Sequence, residues 1–160
     1  MDTLRFQKIE PLTKEFRHIG EVSNKTEHHI KNDFIIETLN DITLIQILLK
    51  NATFVVSKRF KDFLEKHISN GKRKIIVDLR KCQLIDSTFW GALILSQRKI
   101  HNLNGSIRIV FDAQKQSVLI IATQMDKIFK MYEDVTTAIN SFTREEMGKT
   151  ITHGGMDFSY

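Results

Sequence analysis

The stretch QLIDSTFWGALILS, residues 83–96, places a carboxylate, Asp86, directly before two hydroxyls, Ser87 and Thr88, where a strand-like run gives way to an apolar helix. Two chemistries suit these residue types at this spacing. A Ser or Asp at the start of a helix accepts from the unpaired backbone N–H groups of the first turn, a cap worth about 1 kcal/mol. A hydroxyl at the same place is also a seat for a phosphate, because the free N–H groups and the positive end of the helix dipole favour a dianion there. Phosphate on Ser87, with Asp86 beside it, would repel an acidic partner surface. The first reading is structural and the second is a binding switch; the residues alone leave both open.

Other reactive groups form no constellation. Cys82 is the single cysteine, so no internal disulfide framework and no multi-cysteine zinc site exists. With no histidine base in any motif near it, it reads as a small buried hydrophobe. His28 and His29 are adjacent in a polar stretch, which denies them the i, i+4 geometry of a helical metal pair. There is no Gly-rich phosphate loop and no Gly-x-Ser-x-Gly elbow. No catalytic residue, metal site or cofactor is therefore expected.

These groups need elements to hold them. With 160 residues, one Pro, 41% hydrophobic and 27% charged residues, the chain reads as one compact domain with an extension. No run approaches the length of a membrane span, and the first ten residues lack a signal-like apolar stretch, so a cytoplasmic protein without membrane insertion is expected. The net charge of +5 is dispersed and is densest across residues 57–74, where Asp62 and Glu65 interrupt it. That pattern fits a solvated helix face better than a nucleic-acid surface, and no direct nucleic-acid binding is expected.

Residues 1–33 carry Pro11 and scattered apolar residues, Leu4, Phe6, Ile9, Leu12, Phe16 and Ile19, and read as an extension whose form the pattern leaves open, a small helix or a packing arm. From residue 34 the pattern sharpens. FIIETL and ITLIQILL, separated by Asn40-Asp41, predict a hairpin. TFVVSKRFKDFLEKHIS, with Phe60, Phe63, Leu64 and His67 at three- and four-residue spacing and Gly71 as a stop, predicts an amphipathic helix. KIIVDL and IRIVF predict strands buried on both faces. The helix between them makes a parallel, right-handed βαβ unit, with Asp86 and Ser87 at the first turn of that helix, beyond the carboxyl end of the first strand, where open α/β sheets place functional groups. QSVLIIATQ reads as a helix, KIFKMY as a short strand, DVTTAINSF as a closing helix and the last residues as a fraying tail. The expected fold is α/β, one mixed β-sheet with helices mainly on one face.

Over residues 34–143 the sequence resembles the STAS domains of bacterial anti-sigma factor antagonists, with 1–33 as the extension and 144–160 as a C-terminal tail. KIIVDLRKCQLIDST resembles the family's strand, loop and phosphorylatable Asp-Ser-Ser/Thr. Gly91 and the helix and strand after it resemble the next elements, and Met125, Asp126, Phe129, Tyr132 and Asp134 resemble the closing pattern. Two departures stand out: Phe89, Trp90 and Gly91 replace the usual Gly-Leu-Gly, the two rings either burying against the sheet or enlarging the partner-facing surface, and ILLKNAT (47–53) replaces an acidic turn common beside the phosphosite.

The resemblance implies a non-enzyme regulator of transcription, itself the substrate of a kinase. Unphosphorylated, it would bind an anti-sigma factor that is also a serine kinase; phosphorylation at Ser87 would switch binding off, and a phosphatase would reverse it. Asp86, Thr88, Phe89, Trp90 and Gly91 would meet the partner, and a homodimer is compatible with that role. The alternative is a STAS subunit with a structural role in a larger signalling or transporter-associated assembly.

Overall fold

The structure is a computed structural model and describes residues 33–154. The expectations for the extension before Asp33, including His28 and His29, lie outside the described residues.

The chain opens with strands β1 (Phe34–Leu39) and β2 (Ile42–Ile47). They pair antiparallel from Phe34 opposite Ile47 to Leu39 opposite Ile42. Asn40 turns the hairpin at φ 54°, a left-handed conformation that asparagine tolerates. Then follow β3 (Asn51–Ala52), α1 (Phe54–Ser69), β4 (Lys74–Asp78), β5 (Leu84–Ile85), α2 (Ser87–His101) and β6 (Ser106–Val110). The chain closes with α3 (Ala113–Thr123), a 3-10 turn (Met125–Lys127), β7 (Lys130–Tyr132) and α4 (Val135–Gly154). Five strands form one sheet in the order β1-β2-β4-β6-β7, with β2, β4, β6 and β7 parallel. The expected mixed sheet and parallel β4-α2-β6 unit are both present.

Strand alternation divides the core in two. Ile45, Ile47, Ile75, Val77, Ile107 and Ile109 face one side and are buried by α1, α2 and the α3 region through Phe60, Phe63, Leu64, Ile68, Phe89, Leu93, Ile120 and Phe129. Ile42, Leu44, Ile76 and Val110 face the other side, where Ala138, Ile139 and Phe142 of α4 cover them. Among the described residues, helices thus lie mainly on one face, with α4 on the second. Each fully buried aliphatic or aromatic side chain in these layers contributes roughly 1.5–3 kcal/mol. Phe60 stacks on Phe89 with ring centroids 4.7 Å apart, which binds α1 to α2.

The outer face of α1 carries Lys58 with Asp62 and Lys61 with Glu65 as i, i+4 ion pairs at 3.1 Å, so the basic run is a solvated helix face there. The strand expected over KIFKMY is confined to Lys130–Tyr132, because the 3-10 turn and the buried Phe129 occupy the approach to it. The closing helix, expected over DVTTAINSF, continues to Gly154. Its later turns are held by charge: Glu145 pairs with Arg108 and Lys130, and Glu146 with Lys74. Arg108 is fully buried, its guanidinium 3.5 Å from the centroid of the Phe142 ring.

Candidate functional site

Asp86 ends the short strand β5 in an extended conformation and is the N-cap of α2. Its Oδ1 accepts the Phe89 N–H at 2.8 Å, and its carbonyl accepts the Trp90 N–H at 3.1 Å. The second carboxylate oxygen does not point to solvent alone. Oδ2 accepts the N–H of Phe54, the first residue of α1, at 2.8 Å. Thr53, the N-cap of α1, makes no side-chain cap of its own, so Asp86 caps two helices at once.

The capping role falls on Asp86 and leaves the Ser87 hydroxyl free for another. Ser87 and Thr88 are the first two residues of α2, and both are exposed. Phe89 and Trp90 are 0% and 2% exposed, so both rings belong to the core and neither faces a partner. The apolar core beneath the first turn of α2 takes both rings: Phe89 on Phe60 of α1, Trp90 towards Phe129 at 6.4 Å. Gly91 is partly exposed. Of the five expected contact residues, Asp86, Thr88 and Gly91 remain at or near the surface.

The loop between β4 and β5 fixes where Ser87 stands. At its start Asp78 receives Arg80 through Nε at 3.0 Å and Nη2 at 2.7 Å, a two-point contact that raises the Arg80 pKa. Further on, Gln116 of α3 is buried and donates Nε2–H to the carbonyls of Leu79 at 2.8 Å and Cys82 at 2.6 Å. Its Oε1 accepts the Asp112 N–H at 2.8 Å. The small parallel pair of β3 and β5 completes the brace, with Asn51 opposite Leu84 and the Asp86 N–H donating to the Ala52 carbonyl at 3.0 Å. Neither Gln116 nor the β3-β5 pair was anticipated. One polar side chain on a helix and two-residue strands leave no periodic signal.

Cys82 lies within this loop as a buried thiol. Burial, helped by the charge of Asp78, pushes its pKa up to about 12, so it holds no thiolate near neutrality. Asp112 caps α3 through bonds to the Gln114 and Lys115 N–H groups, and Asp134 accepts from the Thr137 N–H and hydroxyl ahead of α4. Among the described residues no group of three or more His, Cys, Asp or Glu is placed to hold a metal ion. No helix among them is long and apolar enough to cross a membrane.

Beside Ser87 the surface is apolar. Phe54 and Val55, in the first turn of α1, are 69% and 71% exposed, and Leu84 of β5 is 51% exposed. The signal for this patch was present in the run Phe54-Val55-Val56: a helix buries one face, and here Val56 alone takes it. The arrangement is an exposed hydroxyl at the start of a 15-residue helix, next to a fixed carboxylate and bordered by uncovered apolar side chains.

No protein-family model matches the sequence, and no curated protein matches it. Solved structures do. A candidate anti-sigma factor antagonist from Thermotoga maritima superposes with a TM-score of 0.64 at 22% identity, covering 71% of this chain and 95% of its own. An anti-sigma factor antagonist from Mycobacterium paratuberculosis gives 0.61 at 14% identity, covering 68% and 91%. The phosphorylated form of SpoIIAA, a Bacillus cell fate determinant, gives 0.54 at 14% identity, covering 68% and 98%. The chain has the STAS fold that these anti-sigma factor antagonists share.

Proposed function

We propose that this protein is a partner-switching regulator of the anti-sigma factor antagonist type. Unphosphorylated, it binds an anti-sigma factor that is also a serine kinase; a phosphate on Ser87 ends that binding, and a phosphatase restores it. The observation that carries the reading is the division of labour at the start of α2. Asp86 supplies the cap, and the neighbouring Ser87 hydroxyl is exposed at the positive end of the helix dipole. The shared fold supports the same class, since one of the superposed proteins exists in a phosphorylated form.

A phosphate at Ser87 acts on contact more than on folding. The first turn of α2 is favourable ground for a dianion within the protein. The same dianion must be desolvated when a partner closes over Phe54, Val55 and Leu84, and it would stand beside Asp86, a second negative charge. Thr88 and Gly91 complete the contact surface. The protein works as a substrate and ligand of its partner, in the cytoplasm, and transcription is the process it regulates.

The test is phosphate mapping on the protein isolated from its own cells, in growth and under stress. A single phosphate on Ser87 whose occupancy changes with condition is the expected result. A phosphate confined to another residue, or none in any condition, would remove the switch.

A further inference from the structure

The patch formed by Phe54, Val55 and Leu84 has a candidate occupant in the chain itself. We propose that residues 4–19 dock on this patch in cis, beside the N-terminus of α2.

The first argument is where the extension enters. Asp33, the first described residue, is fixed twice: its carbonyl accepts the Leu48 N–H at 2.8 Å, and its carboxylate pairs with Arg59. Arg59 follows Val55 by four residues on α1, so the two lie on one side of the helix about 6 Å apart along its axis. Asp33, the point where the extension joins the described domain, therefore stands next to the patch.

The second argument is reach and composition. Residues 20–32, GEVSNKTEHHIKN, are almost wholly polar and span at most about 45 Å when extended. That is ample for a segment that starts one helical turn away. Ahead of them Phe6, Ile9, Leu12, Phe16 and Ile19 recur at intervals of three and four, a spacing that gathers apolar side chains into one stripe.

Area decides against a second copy. Three exposed side chains offer a few hundred Å² at most, by the usual size of such groups. Stable association of two copies buries roughly 800 Å² on each partner. A tethered segment works at an effective concentration in the millimolar range, and a small apolar patch is enough to hold it. A further consequence rests on the switch reading above: docked there, the segment covers the surface beside Ser87 and competes with the partner.

The experiment is photo-crosslinking in the full chain, with p-benzoylphenylalanine in place of Val55 and, as a control, in place of Val118. Val118 is 80% exposed on α3 and is no part of the patch. An equal mixture of natural-isotope and nitrogen-15 chains is irradiated, and the products are mapped by mass spectrometry. Crosslinks from position 55 to residues 4–19 of the same isotope are expected, at least fivefold above the Val118 control. Phe16→Asp should reduce them at least fivefold with an unchanged melting curve. Mixed-isotope products would assign the patch to a second copy. Products elsewhere in the chain, or none above the control, would equally overturn the proposal. Failure of the switch reading is seen separately, as no phosphate on Ser87, and leaves the crosslink result standing.

Discussion

The Asp86 carboxylate lies 2.8 Å from the backbone nitrogen of Phe54, thirty-two positions away in sequence, while its other oxygen holds the Phe89 N–H. Two helix N-termini thus depend on one side chain. A single cap is worth about 1 kcal/mol, so Asp86→Ala should destabilise the domain by about 1–2 kcal/mol. Asp86→Asn keeps one acceptor oxygen and should lose about half as much. Urea unfolding of the three proteins checks this; equal loss in both variants would mean that only one of the two bonds matters.

Gln116 should be the more costly residue to alter. Its amide meets the Leu79 and Cys82 carbonyls and the Asp112 N–H from a buried position. Removing a buried partner leaves unsatisfied groups at about 1–3 kcal/mol. Gln116→Leu, which strands all of them at similar volume, should cost about 2–4 kcal/mol by that scale. It should also unpin the loop that leads to Ser87. Hydrogen exchange at residues 79–86 should rise in this variant beyond its rise in α1.

The contrast between these two residues shows what the sequence makes legible. Hydrophobic period and β-branched runs identified β4, β6 and the helix between them, because burial on one face or two is written locally. The helix boundary at Asp86 was equally readable from residue type. The second hydrogen bond of Asp86, to Phe54, was not, since it joins residues brought together only by the β3-β5 pair. Phe89 and Trp90 stay open in the sequence between burial and partner contact, because an apolar residue near a helix start can face either side. The sheet face under α2 decides which. The later turns of α4 were missed for a related reason: Glu145 and Glu146 look like tail residues until Arg108, Lys130 and Lys74 are placed beside them.

Glu37 should make stability depend on pH. It is buried on β1, opposite Leu44, and burial raises its pKa above the ordinary carboxylate value. A carboxyl group whose pKa is raised by folding binds protons more tightly in the native state. Its favourable contribution is complete below the unfolded value near 4.5 and is lost as pH climbs through the folded value. Glu37→Gln, which is neutral at every pH, should therefore stabilise the domain at pH 7, with the gain shrinking towards zero near pH 4. Urea midpoints at both pH values measure it. A gain that persists unchanged into acid would show that charge is not the cause.

Ser87 offers a test in which stability and binding move in opposite directions. The hydroxyl is exposed and the cap belongs to Asp86, so Ser87→Ala should change stability by less than about 0.5 kcal/mol, as for most surface sites. Ser87→Glu puts a negative charge in the first turn of α2, where the helix dipole stabilises it by about 0.3–1 kcal/mol. Its melting temperature should equal or slightly exceed that of the wild type. Towards the proposed kinase partner the order reverses. Ser87→Ala should bind as the wild type does and accept no phosphate. Ser87→Glu should lose at least about tenfold in affinity, roughly 1.4 kcal/mol, and the phosphoprotein more, because a charge tolerated by the free helix must be desolvated at the interface. Titration calorimetry alongside melting curves reads both quantities on the same samples. Weaker binding with a lowered melting temperature would mark Ser87→Glu as a damaged domain, whereas weaker binding with an undiminished one can come only from the contact surface, which is what a switch at Ser87 requires.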